Sequence, residues 1–305
     1  MRDAELLLPD FSLILIGYLL CRHTALNRPL WLAVEKLVYF FLFPVFLFQS
    51  IVRTPLDLHA ASALIGAGLG LMACGIALAW ALPHLPGLRR AIELRDHAAS
   101  AQIAFRFNSF IGLAMAERVL GPQGLQPMAV LIGVSVPLAN LAAVWPMARH
   151  GERSFALEIV RNPLIIATAL GLTANLAGLG PPAWLQPTLS RIGASSIALG
   201  LLAAGAGMQL RSVATNKALG VGVIVIRHAA LPLVAWLLAQ ALQLDPTQAT
   251  ALLIFSALPT SSSCYVLAAR MGYNGAYVAG LVTLSTVLAA ISLPWALASL
   301  APSLP

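Results

Sequence analysis

The chain has 305 residues, of which 59% are hydrophobic and 10% charged, with a formal net charge of +7. A water-soluble domain carries about a quarter charged residues, so this composition excludes a soluble protein of similar length. The excess of positive charge does not point to nucleic acid either, because the basic residues fall in short loops between apolar stretches, as the positive-inside rule expects.

Apolar stretches of about 20 residues, each long enough to cross roughly 30 Å of hydrocarbon, recur from end to end. In chain order they cover 5–21, 30–52, 58–82, 97–119, 126–148, 161–180, 184–209, 217–243, 247–271 and 274–299. The first reads as a span and not a signal peptide: Arg2 is followed by Asp3, Glu5 and Asp10, and Cys21, Arg22 and His23 stand where a cleavage site would carry small residues. The longest polar stretch, Arg149 to Arg161, divides the chain into a five-span unit over 1–150 and a second over 151–305. Cys21, Cys74 and Cys264 lie in or beside spans without metal-ligand spacing, which predicts apolar packing and neither disulfides nor a metal site.

The loops alternate in charge. Arg22, Arg28, Arg89, Arg90, Arg95, Arg149, Arg153, Arg161, Arg211, Lys217 and Arg270 collect on one side, and Arg2, Arg53 and Arg118 on the other. This bias places the central loop in the cytoplasm and both termini outside, in an inner cell membrane. Five spans on either side of a cytoplasmic loop run in opposite senses, which is an inverted repeat. Sliding the second half back until Gly272 falls on Gly121 puts Pro259 on Asn108, with few identities along the way. The expected fold is therefore all-α and integral to the membrane, with about ten transmembrane helices in two inverted five-helix repeats.

The fourth and ninth spans differ from the rest. The fourth carries Arg106, Asn108 and Ser109 near its middle, then Gly112; the ninth carries Pro259, Thr260, Ser261, Ser262 and Ser263. Proline removes a backbone donor, and Asn, Ser and Thr favour the first turn of a new helix, so each cluster predicts a helix that stops and restarts. The plainer alternative is small polar residues that pack helix against helix, with a kink at the proline. Two breaks at matching positions of inverted halves would cross, each restarting helix aiming free N–H groups and a partial positive charge at the crossing. Such a site favours an anion, a carboxylate being the simplest.

Ionisable side chains inside spans are functional candidates because burying them costs several kcal/mol. Arg106 could pair bidentately with a substrate carboxylate, or else snorkel or cap freed carbonyls. Arg227 and His228 lie mid-way along the eighth span before Pro232; the histidine could relay a proton or simply pack as a hydrogen-bonded side chain. Glu35 and Lys36, adjacent near the cytoplasmic end of the second span, read as interfacial in preference to coupling residues, and Arg191 as reaching the interface. Asp10 and Glu117 lie near outer ends, so no carboxylate is expected at the crossing, against a sodium/proton antiporter. Ser261–Ser263 lack a G-x-S-x-G context, and no H-E-x-x-H occurs, against an enzyme.

Several motifs resemble the auxin efflux carrier family, in particular its bacterial, malonate-permease-like members. They are Asn108, Gly112 and Gly121 in N-x-x-x-G with a terminal Gly, Asn162-Pro163-Leu164-Ile165, the small-residue run from Gly200 to Leu210, and ALPTSSSCYVLAARMGYN from Ala257 to Asn274. The family's G-x-P is absent from the fourth span, where Ala114 follows Gly112-Leu113, and the large cytoplasmic loop of the plant exporters is missing. The resemblance implies a fold like sodium/bile acid symporters, with crossover helices four and nine. It implies a small organic anion bound by Arg106, Asn108, Ser109, Gly112, Pro259, Thr260, Ser261 and Ser262, with Arg227 and His228 as coupling candidates. A fixed Arg227 could replace the cation that sodium-coupled relatives hold behind the crossover. The expected activity is alternating-access secondary transport, driven by protons or potential; a sodium-coupled symporter and an anion channel are the alternatives. Substrate anion and membrane lipid are the expected partners, with no cofactor and no nucleic acid, and a homodimer is open to it.

Overall fold

A computed structural model describes residues 2–53, 58–148, 163–208, 216–261 and 263–303. Ser262, Asn162 and the loop arginines Arg149, Arg153, Arg161 and Arg211 lie outside the described residues. No strand occurs among the described residues. The helices are α1 (Arg2–His23), α2 (Arg28–Leu37), α3 (Phe43–Arg53), α4 (Leu58–Ala81), α5 (Leu94–Ser100), α6 (Gln102–Phe105), α7 (Ser109–Leu120) and α8 (Leu125–Ala148). In the second half follow α9 (Pro163–Leu176), α10 (Gln186–Ala206), α11 (Lys217–Val225), α12 (Leu231–Ala241), α13 (Pro246–Ala257), α14 (Ser263–Arg270) and α15 (Gly275–Leu300).

Each apolar stretch of the sequence falls on one helix or on a run of them. Five continuous stretches are long and apolar enough to cross a bilayer: Arg28–Phe46, Ser62–His84, Leu125–Met147, Lys217–Ala241 and Gly275–Leu300, of 19 to 26 residues. Two of these contain a π turn, Val38–Leu42 joining α2 to α3 and Ile226–Ala230 joining α11 to α12. Both turns end two residues before a proline, Pro44 and Pro232. Proline cannot donate to the carbonyl four residues back, and a wider turn lets the helix continue past that gap.

Helix starts carry the expected chemistry. Asp245 caps α13, its carboxylate accepting from the N–H of Thr247 at 2.9 Å and of Gln248 at 3.0 Å, with Pro246 as the first helical residue. Asn274 caps α15 by accepting from the Tyr277 N–H at 3.1 Å.

The helices pack in two groups. In the first, α1 lies on α10, α9 on α3, and α10 on α3. In the second, α4 packs on α8 and α12, α13 on α12, α8 and α15, and α14 on α15. The second group holds most of the buried core, including the whole run from Leu252 to Leu258 and from Ala98 to Phe107. Helices of the first group turn apolar residues such as Leu15, Leu19, Leu170 and Leu176 outward, the kind of surface that lipid covers.

The tightest approach within the first group is at Gly17, where a Cβ would overlap the Leu202 carbonyl of α10. Gly17→Ala gains about 1 kcal/mol of helix propensity but sets a methyl group against backbone that no rotamer change relieves, at about 1–3 kcal/mol. The variant is expected to melt below wild type in detergent, read by tryptophan fluorescence. A melting temperature at or above wild type would contradict the close approach.

Candidate functional site

The chain leaves the helical path twice inside its buried core. The first break spans Arg106 to Asn108, between α6 and α7. Arg106 is extended, and its N–H still donates to the Gln102 carbonyl at 2.8 Å, closing α6. Asn108 starts α7: its side-chain oxygen accepts from the Ile111 N–H at 3.3 Å and its carbonyl from the Gly112 N–H at 3.0 Å. The second break follows Leu258, whose extended backbone turns the chain at Pro259. Ser261 then opens α14, its carbonyl accepting from the Cys264 N–H at 3.1 Å and its hydroxyl from the Ser263 N–H at 3.3 Å.

The two breaks touch through backbone. The Asn108 N–H donates to the Pro259 carbonyl at 2.8 Å, so an amide freed in one break is satisfied by a carbonyl freed in the other. The Phe107 and Phe255 rings, 4.4 Å apart between centroids, pack beside the same junction. Two half-helices, α7 and α14, thus begin next to one another, and their free N–H ends add positive potential there.

Among the residues singled out from sequence, Asn108, Ser109, Pro259 and Thr260 are buried together at this junction and Ser261 is partly exposed. Ser262 lies outside the described residues. Gly112 is also buried, but a Cβ there would sit 2.8 Å from Leu258 Cδ1 and 3.4 Å from Met128 Sδ. The absence of a Cβ lets α7 approach the turn at Leu258.

Arg106 neither snorkels nor caps a carbonyl. It is buried, donating from Nη1 to Gln102 Oε1 at 3.1 Å and from Nη2 to Asn140 Oδ1 at 2.9 Å. Gln102 in turn donates to the carbonyls of Ala99 at 2.8 Å and Cys264 at 3.2 Å, which joins the first break to the start of α14. The Nδ2 of Asn140 is buried and meets no acceptor among the described residues.

Arg227 and His228 face different neighbours from the π turn of the eighth span. Arg227 is 1% exposed, and its guanidinium donates to the carbonyls of Leu258 at 2.6 Å and Phe255 at 3.2 Å. These are carbonyls left without intrahelical partners at the end of α13. His228 sits between two hydroxyls on one face of α15, Ser285 Oγ at 2.9 Å from Nε2 and Ser292 Oγ at 2.8 Å from Nδ1. Ser285 also accepts the Thr260 N–H at 3.1 Å, so the histidine reaches the second break through one serine.

Five polar participants were not singled out from sequence. Gln102 stands one helical turn before Arg106, a spacing that suggests contact. Asn140, Ser285 and Ser292 stand in apolar helices, with no local signal of their partners. Tyr265, on α14, donates to Glu35 of α2.

A family model described as "Membrane transport protein" matches residues 145–297, half of the chain. The matched stretch contains the second break and leaves the first outside it. No curated protein matches the chain. Apolar helices of membrane-spanning length, a polar break buried among them and this match agree: the chain belongs to the membrane transport protein family of the auxin efflux carriers.

Proposed function

We propose that the protein is a secondary active transporter that carries a small organic anion, a carboxylate, by alternating access. The observation that carries this reading is Arg106: a guanidinium buried in the core, held by two neutral amides, with no carboxylate bonded to it among the described residues. A buried charge without a counter-charge is strongly unfavourable. An incoming carboxylate relieves that cost, and the adjacent Asn140 Nδ2 and the start of α7 supply further donors.

The packing supports the rest of the proposal. If the chain is two inverted five-helix repeats, the first span corresponds to the sixth and the second to the seventh. The contact of α1 with α10 then exchanges with that of α9 with α3, and both occur. The first group of helices would serve as a frame, and the second, carrying both breaks, would move against it. In this reading the central loop faces the cytoplasm and both termini lie outside the inner membrane.

Counterflow in proteoliposomes tests the site. Vesicles preloaded with unlabelled acetate, benzoate, succinate or malonate should take up the matching labelled anion faster than empty ones, as a carrier does and a channel does not. Charge-assisted hydrogen bonds contribute about 1.5–3 kcal/mol, so Arg106→Ala should raise the apparent KM about tenfold to a hundredfold. Asn140→Ala should raise it less. Wild-type kinetics in both variants would remove Arg106 and Asn140 from the site.

Arg227 bears on the driving ion. A cation behind the second break would need oxygen ligands, and the carbonyls of Phe255 and Leu258 are already taken by the guanidinium. Transport is therefore expected to be the same in sodium and in choline buffers, with a proton or the membrane potential as the driving force. Strict dependence on sodium would favour the symporter alternative.

A further inference from the structure

One ionic cluster joins the frame to a broken helix, and transport as proposed above does not yet use it. Arg28 and Glu35 lie two turns apart on α2 and pair at 3.0 Å, the one salt bridge among the described residues. The Tyr265 hydroxyl donates to both carboxylate oxygens of Glu35, at 2.5 Å and 2.6 Å. Arg28 also bonds that hydroxyl, with its guanidinium carbon 5.3 Å from the centre of the tyrosine ring. Tyr265 is the third residue of α14, one turn beyond Ser261. The Glu35 side chain is only 12% exposed.

The carboxylate is thus the common acceptor for donors from α2, which packs on α10 of the first group, and from α14 of the second group. Its tie to α14 depends on its charge. The titratable and charged groups on α2 and the adjoining elements are Arg28 and Lys36 on α2, Tyr39 on the π turn, Cys21, Arg22 and His23 at the end of α1, and Tyr265 and Cys264 on α14. Arg28 and Tyr265 bond it; Lys36 is exposed, and Arg22 donates to Tyr18. Where α10 packs on α2 it presents Ala203 and Ala206, with its one described arginine, Arg191, several turns away.

We propose that Glu35 is a proton-binding site whose protonation releases half-helix α14 from α2. The proton goes onto one carboxylate oxygen, which changes from acceptor to donor. Two of the charge-assisted bonds that hold Tyr265 and Arg28 weaken together, and the cluster passes from net zero to net positive. The positive charge left on Arg28 then favours the entry of an anion beside α14. This deepens the transporter reading and rests on it for the anion alone: proton and carboxylate would move as a pair.

Hydrogen exchange on the full-length protein in nanodiscs, analysed by mass spectrometry, tests the site without a substrate. After correction for intrinsic chemistry, amides of α14 should lose about tenfold protection between about pH 8 and about pH 5, while peptides of α8 stay unchanged. Glu35→Gln, neutral at all pH, should show the low-pH protection at both values, and Glu35→Asp should restore the pH dependence. Tyr265→Phe keeps the Arg28–Glu35 pair and cuts the link, so α14 should be released at both pH values. If wild-type α14 is equally protected at both, or if either Glu35→Gln or Tyr265→Phe follows wild type, the proposal is overturned. If Glu35→Gln also loses protection in α8, it is misfolded, and Tyr265→Phe decides. Failure of counterflow with these exchange results intact would overturn the anion reading and leave the proton site standing.

Discussion

The hydrogen bond from the Asn108 N–H to the Pro259 carbonyl is the constraint from which the rest of the core follows. Non-helical backbone deep in an apolar protein must find partners for its amides, and water is not there to supply them. A buried group left unpaired costs about 1–3 kcal/mol, so neither break is tolerable alone. Each is stable because the other supplies what it lacks. The remaining freed groups are met from neighbours in the same way: Thr260 N–H by Ser285, and the carbonyls of Phe255 and Leu258 by Arg227. Four separate helices are thereby committed to one small junction.

Two buried arginines serve this junction differently. Arg227 donates to two backbone carbonyls, of Phe255 and Leu258, at the end of α13. Arg106 is positioned by the amide oxygens of Gln102 and Asn140, neither of which neutralises it. The difference lies in the elements around them: α13 ends beside Arg227 with carbonyls exposed, whereas α6 ends with its last N–H bonded and Arg106 turned toward α8. In the transport reading proposed above, the first is a structural charge and the second the one offered to the anion.

Much of this was legible in the sequence, and for identifiable reasons. Long apolar stretches fix helices by composition, and the clusters around Asn108 and Pro259 mark breaks because their chemistry is local. What crosses between spans was not legible. Asn140, Ser285 and Tyr265 are single residues whose partners lie on other helices, and no periodicity announces such a pair. The partners of Glu35 were hidden for the same reason: they are Arg28, two turns back, and Tyr265, from the far half. Gly112 belongs to a recognisable motif, but the motif does not tell that Leu258 and Met128 are its neighbours.

The π turn at Ile226–Ala230 has a geometric consequence for the whole eighth span. Its buried residues include Leu219, Val223, Arg227, Leu231, Ala235 and Ala239, a stripe at every fourth position. In a regular α-helix that stripe drifts by about 40° per step and winds around to the opposite side over this length. The wide turn takes up part of that excess rotation midway, so the residues beyond Ala230 lag behind the positions that a uniform helix of 3.6 residues per turn from Lys217 would give them. The one turn carrying Arg227 and His228 thereby keeps Leu231 on the buried side with Arg227.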